Sequence, residues 1–254
     1  MNTQDILDNN TLDVDGMMSA EDFEKRLFDF MAEFSAGAGH ELNNPLAIIS
    51  AISQKRLRLE RDPAVREAFA AIIAQTRRAY EMIADIRSFA RPPKPEYGAI
   101  NIARFFEEWT KREKKRLNAS EIQIDVDYVG SRTIEIETDE AMLASVLDAL
   151  SRNASDAISQ NGRLSFFCNL RDQEKSASGE HSSFLEIGVE NDGPCISEEE
   201  QQLMFAPFYS GRQAGRGLGF GLPKALRYTE ALGMRLVCEK SRSFPSGQRW
   251  SVVY

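Results

Sequence analysis

The chain has 254 residues, 42% of them hydrophobic and 28% charged, enough for one or two cored domains. A formal charge of −8 excludes nucleic acid as the main partner, which would demand a basic face. Three widely spaced cysteines, Cys168, Cys195 and Cys238, read as reduced thiols of a cytoplasmic protein and argue against a disulfide frame or a zinc site.

Residues 1–18, with Asp5, Asp8, Asp13 and Asp15 and little periodicity, read as a mobile acidic leader. No Lys or Arg precedes Lys25, so the basic start of a secretory signal is missing. The apolar run 45–52 is far too short for membrane insertion, and a soluble protein is expected. With so few residues ahead of the first helix, the input signal is expected to come from a separate sensor protein or through the acidic leader.

Residues 19–90 read as a helical hairpin. Ser19 is the expected cap, and Phe23, Leu27, Phe30, Phe34, Leu42, Leu46 and Ile52 mark one amphipathic helix to about Leu59. Asp62-Pro63 breaks it, and Pro63 suits the first position of a second helix carrying Val65, Phe69, Ile72, Tyr80, Ile83 and Phe89. Two helices cannot enclose a core alone, so pairing with a second copy into a four-helix bundle, a homodimer, is expected.

Residues 91–99, with Pro92, Pro93 and Pro95, read as a stiff linker, and 100–254 as a second domain. Helices are expected over 100–117, 141–159 and 218–232. Strands are expected over 121–127, 133–137, 164–170, 184–190, 236–239 and 249–254. His181 falls in the polar loop 171–183 and receives no role. The basic run Lys111 to Arg116 reads as a solvated helix face. Mixed strands with helices able to cover one face predict an α+β sandwich.

Chemistry concentrates at Gly39-His40-Glu41-Leu42-Asn43-Asn44-Pro45-Leu46. Asn44 stacks over His40 on one helix face, and Glu41 is placed to orient the ring and make its other nitrogen more nucleophilic. Gly37, Gly39 and Pro45 weaken the helix on both sides of the histidine. This segment resembles the phosphoacceptor box of sensor histidine kinases.

Three motifs of the second domain belong together. Asn153-Ala154-Ser155-Asp156-Ala157 sits late in a helix, and an amide oxygen there is either a satisfied helix amide or a hard ligand for Mg²⁺. Asn191-Asp192-Gly193-Pro194 turns at a strand end; it is expected to expose Asn191 and Asp192 beside a cavity, where either can accept from an adenine amino group. Gly215-Arg216-Gly217-Leu218-Gly219-Phe220-Gly221 opens a helix, where bare backbone N–H groups attract a polyphosphate. Between the last two, the aromatic segment 203–212 with Phe205 is placed to act as a lid.

In this order the motifs resemble the boxes of the histidine-kinase ATP-binding domain, the Bergerat-type group shared with gyrase and Hsp90. The resemblance implies a dimeric four-helix bundle followed by a Bergerat-type α+β sandwich. It implies an ATP and Mg²⁺ site with Asn153 on the metal, Asn191, Asp192 and Gly193 at adenine, and Gly215, Gly217, Leu218, Gly219 and Gly221 along the phosphates. Asp156 and Phe205 complete the nucleotide site. His40 would take the γ-phosphate, Glu41 would orient and deprotonate it, and Asn44 would help position water in the reverse, phosphatase reaction. The phosphoryl group would pass to an aspartate on a cytosolic response-regulator receiver domain. The chain departs from the family in having Asn191 for Asp, Cys195 for Gly and Ala149 for a second Asn. Those departures favour an alternative, a non-catalytic dimeric phosphotransfer or scaffold protein with an impaired ATP site.

Overall fold

The structure is a computed structural model describing residues 20–118, 122–129, 134–158, 161–172, 183–209 and 219–254, with backbone only at 20–25 and 35. The expected leader over 1–18, and His181, lie outside the described residues. Two compact units divide between Arg91 and Pro92.

In the first unit, α1 spans Ala20–Leu59 and α2 spans Pro63–Ala90. The break between them is set by local chemistry. Asp62 is extended, its carboxylate accepts from the Ala64 N–H, and Pro63 occupies a first-turn position that needs no donor. Arg66 then donates to the carbonyls of Leu57 (2.7 Å) and Glu60 (3.0 Å), tying the second helix to the end of the first. Contacts of Phe28 with Phe89, and of Asn43 with Tyr80, run in opposite order along the two helices, so the hairpin is antiparallel. Only one stripe of α1 meets α2. Away from it, Phe30 (65% exposed), Phe34 (64%), Leu42, Ile49 and Ile52 form an uncovered apolar face.

The second unit is a five-stranded sheet, order β2-β4-β5-β7-β6, with a two-stranded ribbon β1-β3 beside it. Its strands are β1 (Gly98–Asn101), β2 (Gln123–Val129), β3 (Glu135–Thr138), β4 (Arg163–Asp172), β5 (Ser183–Asn191), β6 (Arg235–Lys240) and β7 (Gln248–Val253). Its helices are α3 (Ile102–Leu117), α4 (Glu140–Ala157), α5 (Glu198–Leu203) and α6 (Gly221–Ala231). Only β2 and β4 run parallel; the other pairs are antiparallel. One sheet face (Leu164, Phe166, Cys168, Ile187, Val189, Trp250, Val252) joins Trp109, Leu143, Leu147 and Leu150 from the helices in a single core. Burial there pushes the Cys168 thiol up to about 12, which makes it an inert packing group.

Several local expectations shift. The helix expected from Ile100 begins at Ile102, because Ile100 and Asn101 pair with Ile136 and Glu135 and Asn101 serves as its cap. The short strand β1 lacked an alternating signal, and α5 is specified by a capping box between Ser197 and Glu200. The stretch 96–97 is bound to the second unit: the Glu96 N–H donates to Asp139 (2.9 Å) and the Tyr97 hydroxyl to the Ala231 carbonyl (3.2 Å). The basic run is not wholly solvated, since Glu113 is buried and accepts from Ser151 at 2.7 Å.

The outer sheet face holds an ion cluster that alternation alone would place in water. Arg249 is 3% exposed and pairs with Glu186 (2.9 Å) and with Glu190, while its guanidinium lies 3.4 Å from the Phe167 ring centre. Gly188 sits between the two glutamates, and a Cβ there would collide with the Trp250 carbonyl and the Phe167 ring. Burial pushes both carboxyls up, but hydrogen bonds and charge from Arg249, with Ser241 and Ser243 at Glu190, outweigh it and hold both below the ordinary value of 4.5.

Arg249→Met is therefore expected to lose about 3–5 kcal/mol in urea unfolding, because two buried carboxylates lose their shared cation. The cluster's contribution should be complete above the ordinary glutamate value and fall away at lower pH, through the depressed folded-state values. Urea midpoints measured from pH 7 to pH 3 should fall more steeply for the parent chain than for Arg249→Met.

Candidate functional site

Two sets of chemical groups stand out, one in each unit. On α1, His40 and Asn44 are exposed and lie one turn apart on one side of the helix. Glu41 is also exposed, roughly 100° further round. The opposite side of the same turn is sealed against α2: Gly39 is buried, and a Cβ there would lie 3.1 Å from Ile83 Cγ2. The imidazole thus projects to solvent from a helix whose other flank is fixed.

In the second unit, close backbone packing brings two of the three motifs together. A Cβ on Gly193 would lie 2.6 Å from the Ala157 carbonyl, so the 191–193 turn rests directly on the end of α4. That helix end carries Asn153, half-buried, and Asp156, exposed. Ala149, one turn earlier, is in the core and brings no oxygen.

The two turn residues differ from expectation. Asn191 is not exposed beside a cavity: it is fully buried, because β5 continues one residue further and pairs it with both Leu164 and Gln248. In the amide orientation that satisfies both neighbours, its nitrogen donates to the Gln248 carbonyl (3.2 Å) and its oxygen accepts from the Gly193 N–H (3.1 Å). Asp192 is half-exposed, with Oδ2 3.7 Å from Arg163 and Oδ1 buried without a hydrogen-bond partner among the described residues. The Cys195 thiol donates to the Gly247 carbonyl (3.0 Å), and the Ile196 N–H to Gln248 Oε1 (3.0 Å), so the departure from glycine adds a tie to the 246–248 turn.

Helix α6, which packs on α4, starts as an anion site would. Phe220 precedes it with no side-chain cap, so among the described residues the Gly221 and Leu222 N–H groups are not capped by a side chain, and Pro223 has no donor. Gly219 has φ +73, and a Cβ there would meet the backbone of Phe208 and Tyr209. The aromatic segment therefore lies on the glycine turn. Phe205 packs partly buried on the core, whereas Phe208 has φ 64, is 63% exposed and meets Phe220 edge-on at 4.8 Å. Gly215, Gly217 and Leu218 lie outside the described residues.

Comparison with known proteins agrees with this division. Residues 30–94 match the model of the His Kinase A (phospho-acceptor) domain, and residues 138–253 that of the histidine kinase-, DNA gyrase B- and HSP90-like ATPase. The chain is 31% identical over 196 residues to the sensory histidine kinase/phosphatase NtrB of Rhodobacter capsulatus, covering 76% of this chain and 53% of that protein. It is 25% identical over 199 residues to the signal transduction histidine-protein kinase AtoS of Escherichia coli, covering 77% of this chain and 31% of that one. To the C4-dicarboxylate transport sensor protein DctS of Rhodobacter capsulatus it is 24% identical over 201 residues, and it spans 77% of this chain but only 30% of DctS. Among solved structures, full-length ShkA in complex with AMPPNP superposes with a TM-score of 0.67 at 18% identity, over 87% of this chain and 45% of ShkA. Histidine kinase ThkA in complex with the response regulator TrrA gives 0.59 at 19% identity, over 91% of this chain and 63% of that one. Among the described residues no helix is long and apolar enough to cross a membrane. With a phosphoacceptor hairpin followed by an ATPase-type sandwich, the chain belongs to the sensor histidine kinases of two-component systems.

Proposed function

We propose that this chain is an ATP-dependent protein-histidine kinase of the cytoplasm that phosphorylates itself on His40 and passes the phosphoryl group to an aspartate of a response regulator. The observation that carries the reading is the exposed His40 imidazole, with Glu41 and Asn44 beside it, in one chain with an ATPase-type sandwich. In the forward step a ring nitrogen of His40 forms a bond to the γ-phosphorus, the bond from that phosphorus to the β,γ-bridging oxygen breaks, and ADP leaves. Glu41 orients the ring and takes its proton. Asn44, one turn on, positions water for the opposing hydrolysis of a phosphoryl group, a reaction in keeping with the kinase/phosphatase name of NtrB.

At the nucleotide, the turn 191–193 faces the base. Asn191 acts there by holding the turn, through the Gly193 N–H and the Gln248 carbonyl. Asp192 Oδ1, an acceptor without a partner among the described residues, is suited to the amino group of adenine. Gly215, Gly217, Leu218, Gly219 and Gly221 run along the phosphates, where the uncapped start of α6 offers N–H donors. Phe205 and Asp156 border the site. Asn153 would hold Mg²⁺, which supplies charge neutralisation on the phosphates when bound.

The protein works as a homodimer: Phe30, Phe34, Leu42, Ile49 and Ile52 need a second copy to cover them. The acceptor of the phosphoryl group is a receiver domain, by likeness to ThkA with TrrA, and the input comes from a separate sensor protein. The chain covers about a third or less of AtoS and DctS, so signal reception in those proteins gives no guide here.

With γ-labelled ATP and magnesium, the purified chain is expected to gain an acid-labile, base-stable label that is absent from His40→Gln; equal labelling of the variant would reject His40 as acceptor. Asp192→Asn should weaken ATP binding about tenfold in calorimetry, the loss of roughly one charge-assisted hydrogen bond, with the fold unchanged by circular dichroism.

A further inference from the structure

The turn of α1 that carries His40 is fixed from below by α2 in two places. At Gly39 the helices touch with only a hydrogen atom between backbone and the Ile83 methyl. One turn on, the Tyr80 hydroxyl donates to the main-chain carbonyl of Asn43 at 3.1 Å.

That second contact falls at a weak point of the helix. Pro45 has no N–H, so the carbonyl of Glu41 loses its helical donor, and the ring crowds the turn just after the histidine. A helix so interrupted can tilt at that turn, and any tilt redirects a side chain leaving it. Tyr80 supplies, from the neighbouring helix, a hydrogen bond inside this same turn. Asn43 also carries a buried side-chain oxygen, Oδ1, without a partner among the described residues. One residue thus offers two acceptors, one of them unmet, against a hydroxyl with a single proton to donate.

We propose that Tyr80 is a positioning residue for His40: its hydroxyl sets the pitch of the 41–45 turn and so the direction in which the imidazole leaves α1. Tyr80 does not touch the reacting atoms. It acts through the Asn43 carbonyl, three residues past His40 and on the flank facing α2. The proposal rests on the assignment of His40 as phosphoacceptor.

The test uses the full chain with magnesium and γ-labelled ATP, comparing initial rates of His40 labelling over a range of ATP concentrations. Tyr80→Phe removes the hydroxyl and keeps the ring. It is expected to lower the rate at saturating ATP about fivefold to tenfold with KM for ATP unchanged, as the loss of one hydrogen bond to the reacting geometry would. Phe89→Leu, which loosens the same helix pair at its contact with Phe28 far from His40, is expected to lower the melting temperature and leave the labelling rate intact. A Tyr80→Phe chain labelling at the parent rate, or a Phe89→Leu chain losing as much rate, would overturn the role of Tyr80. A parent chain that takes up no label at His40 would instead overturn the phosphoacceptor assignment, and this inference with it.

Discussion

The first unit depends on how closely its two helices approach at one turn. Gly39 has no side chain, Ile83 fills that absence, and the Asn43 carbonyl receives the Tyr80 hydroxyl. A Cβ at 39 would lie 3.1 Å from the Ile83 Cγ2 methyl, which would have to give by a few tenths of an ångström. The same contact decides what is left over. With one flank of α1 committed to α2, His40 emerges on a second flank and the aromatic and aliphatic residues from Phe30 to Ile52 on a third. The exposed histidine, the internal seam and the uncovered apolar face are thus separated by rotation about one helix axis.

The second unit solves a different problem. Its helices cover one sheet face in the ordinary way, but the other face also excludes water, around Arg249 and its two glutamates. Such a cluster contributes little net stability when complete and is severely destabilising when broken. Its position matters more. Glu190 immediately precedes Asn191 on β5, and its pair Arg249 immediately follows Gln248, the partner of Asn191, on β7. The 191–193 turn is thus anchored at the end of a strand paired on both sides.

Much of this was legible in the sequence, for physical reasons. The long helices carry strong 3.6-residue periodicity, and Asp62-Pro63 leaves the chain little choice at the turn. The order of the histidine segment and the three second-domain motifs sufficed to name the family. What escaped was non-local. Nothing in Gly98-Ala99-Ile100-Asn101 announces a strand, because β1 exists only by pairing with β3. The burial of Glu186, Glu190 and Arg249 is not readable from strand alternation, which reports one buried face, because it depends on the three being brought together. Asn191 read as a turn residue because the glycine and proline that follow it mark a turn, yet its pairing on both sides keeps it in the strand. Tyr80 read as one more apolar position of α2; only the fold shows that its hydroxyl finds a carbonyl 37 residues earlier.

The bonds at Glu96 and Tyr97 shorten the joint between the units. Beyond Arg91, whose N–H donates to the Arg87 carbonyl at the end of α2, only Pro92 to Pro95 precede these bonds, and three of those four residues are prolines whose φ is fixed. An arm of that composition extends about 12 Å at roughly 3 Å per residue and has little capacity to lengthen. With φ fixed at three of its four positions, the tether is a spacer of nearly constant length and not a spring.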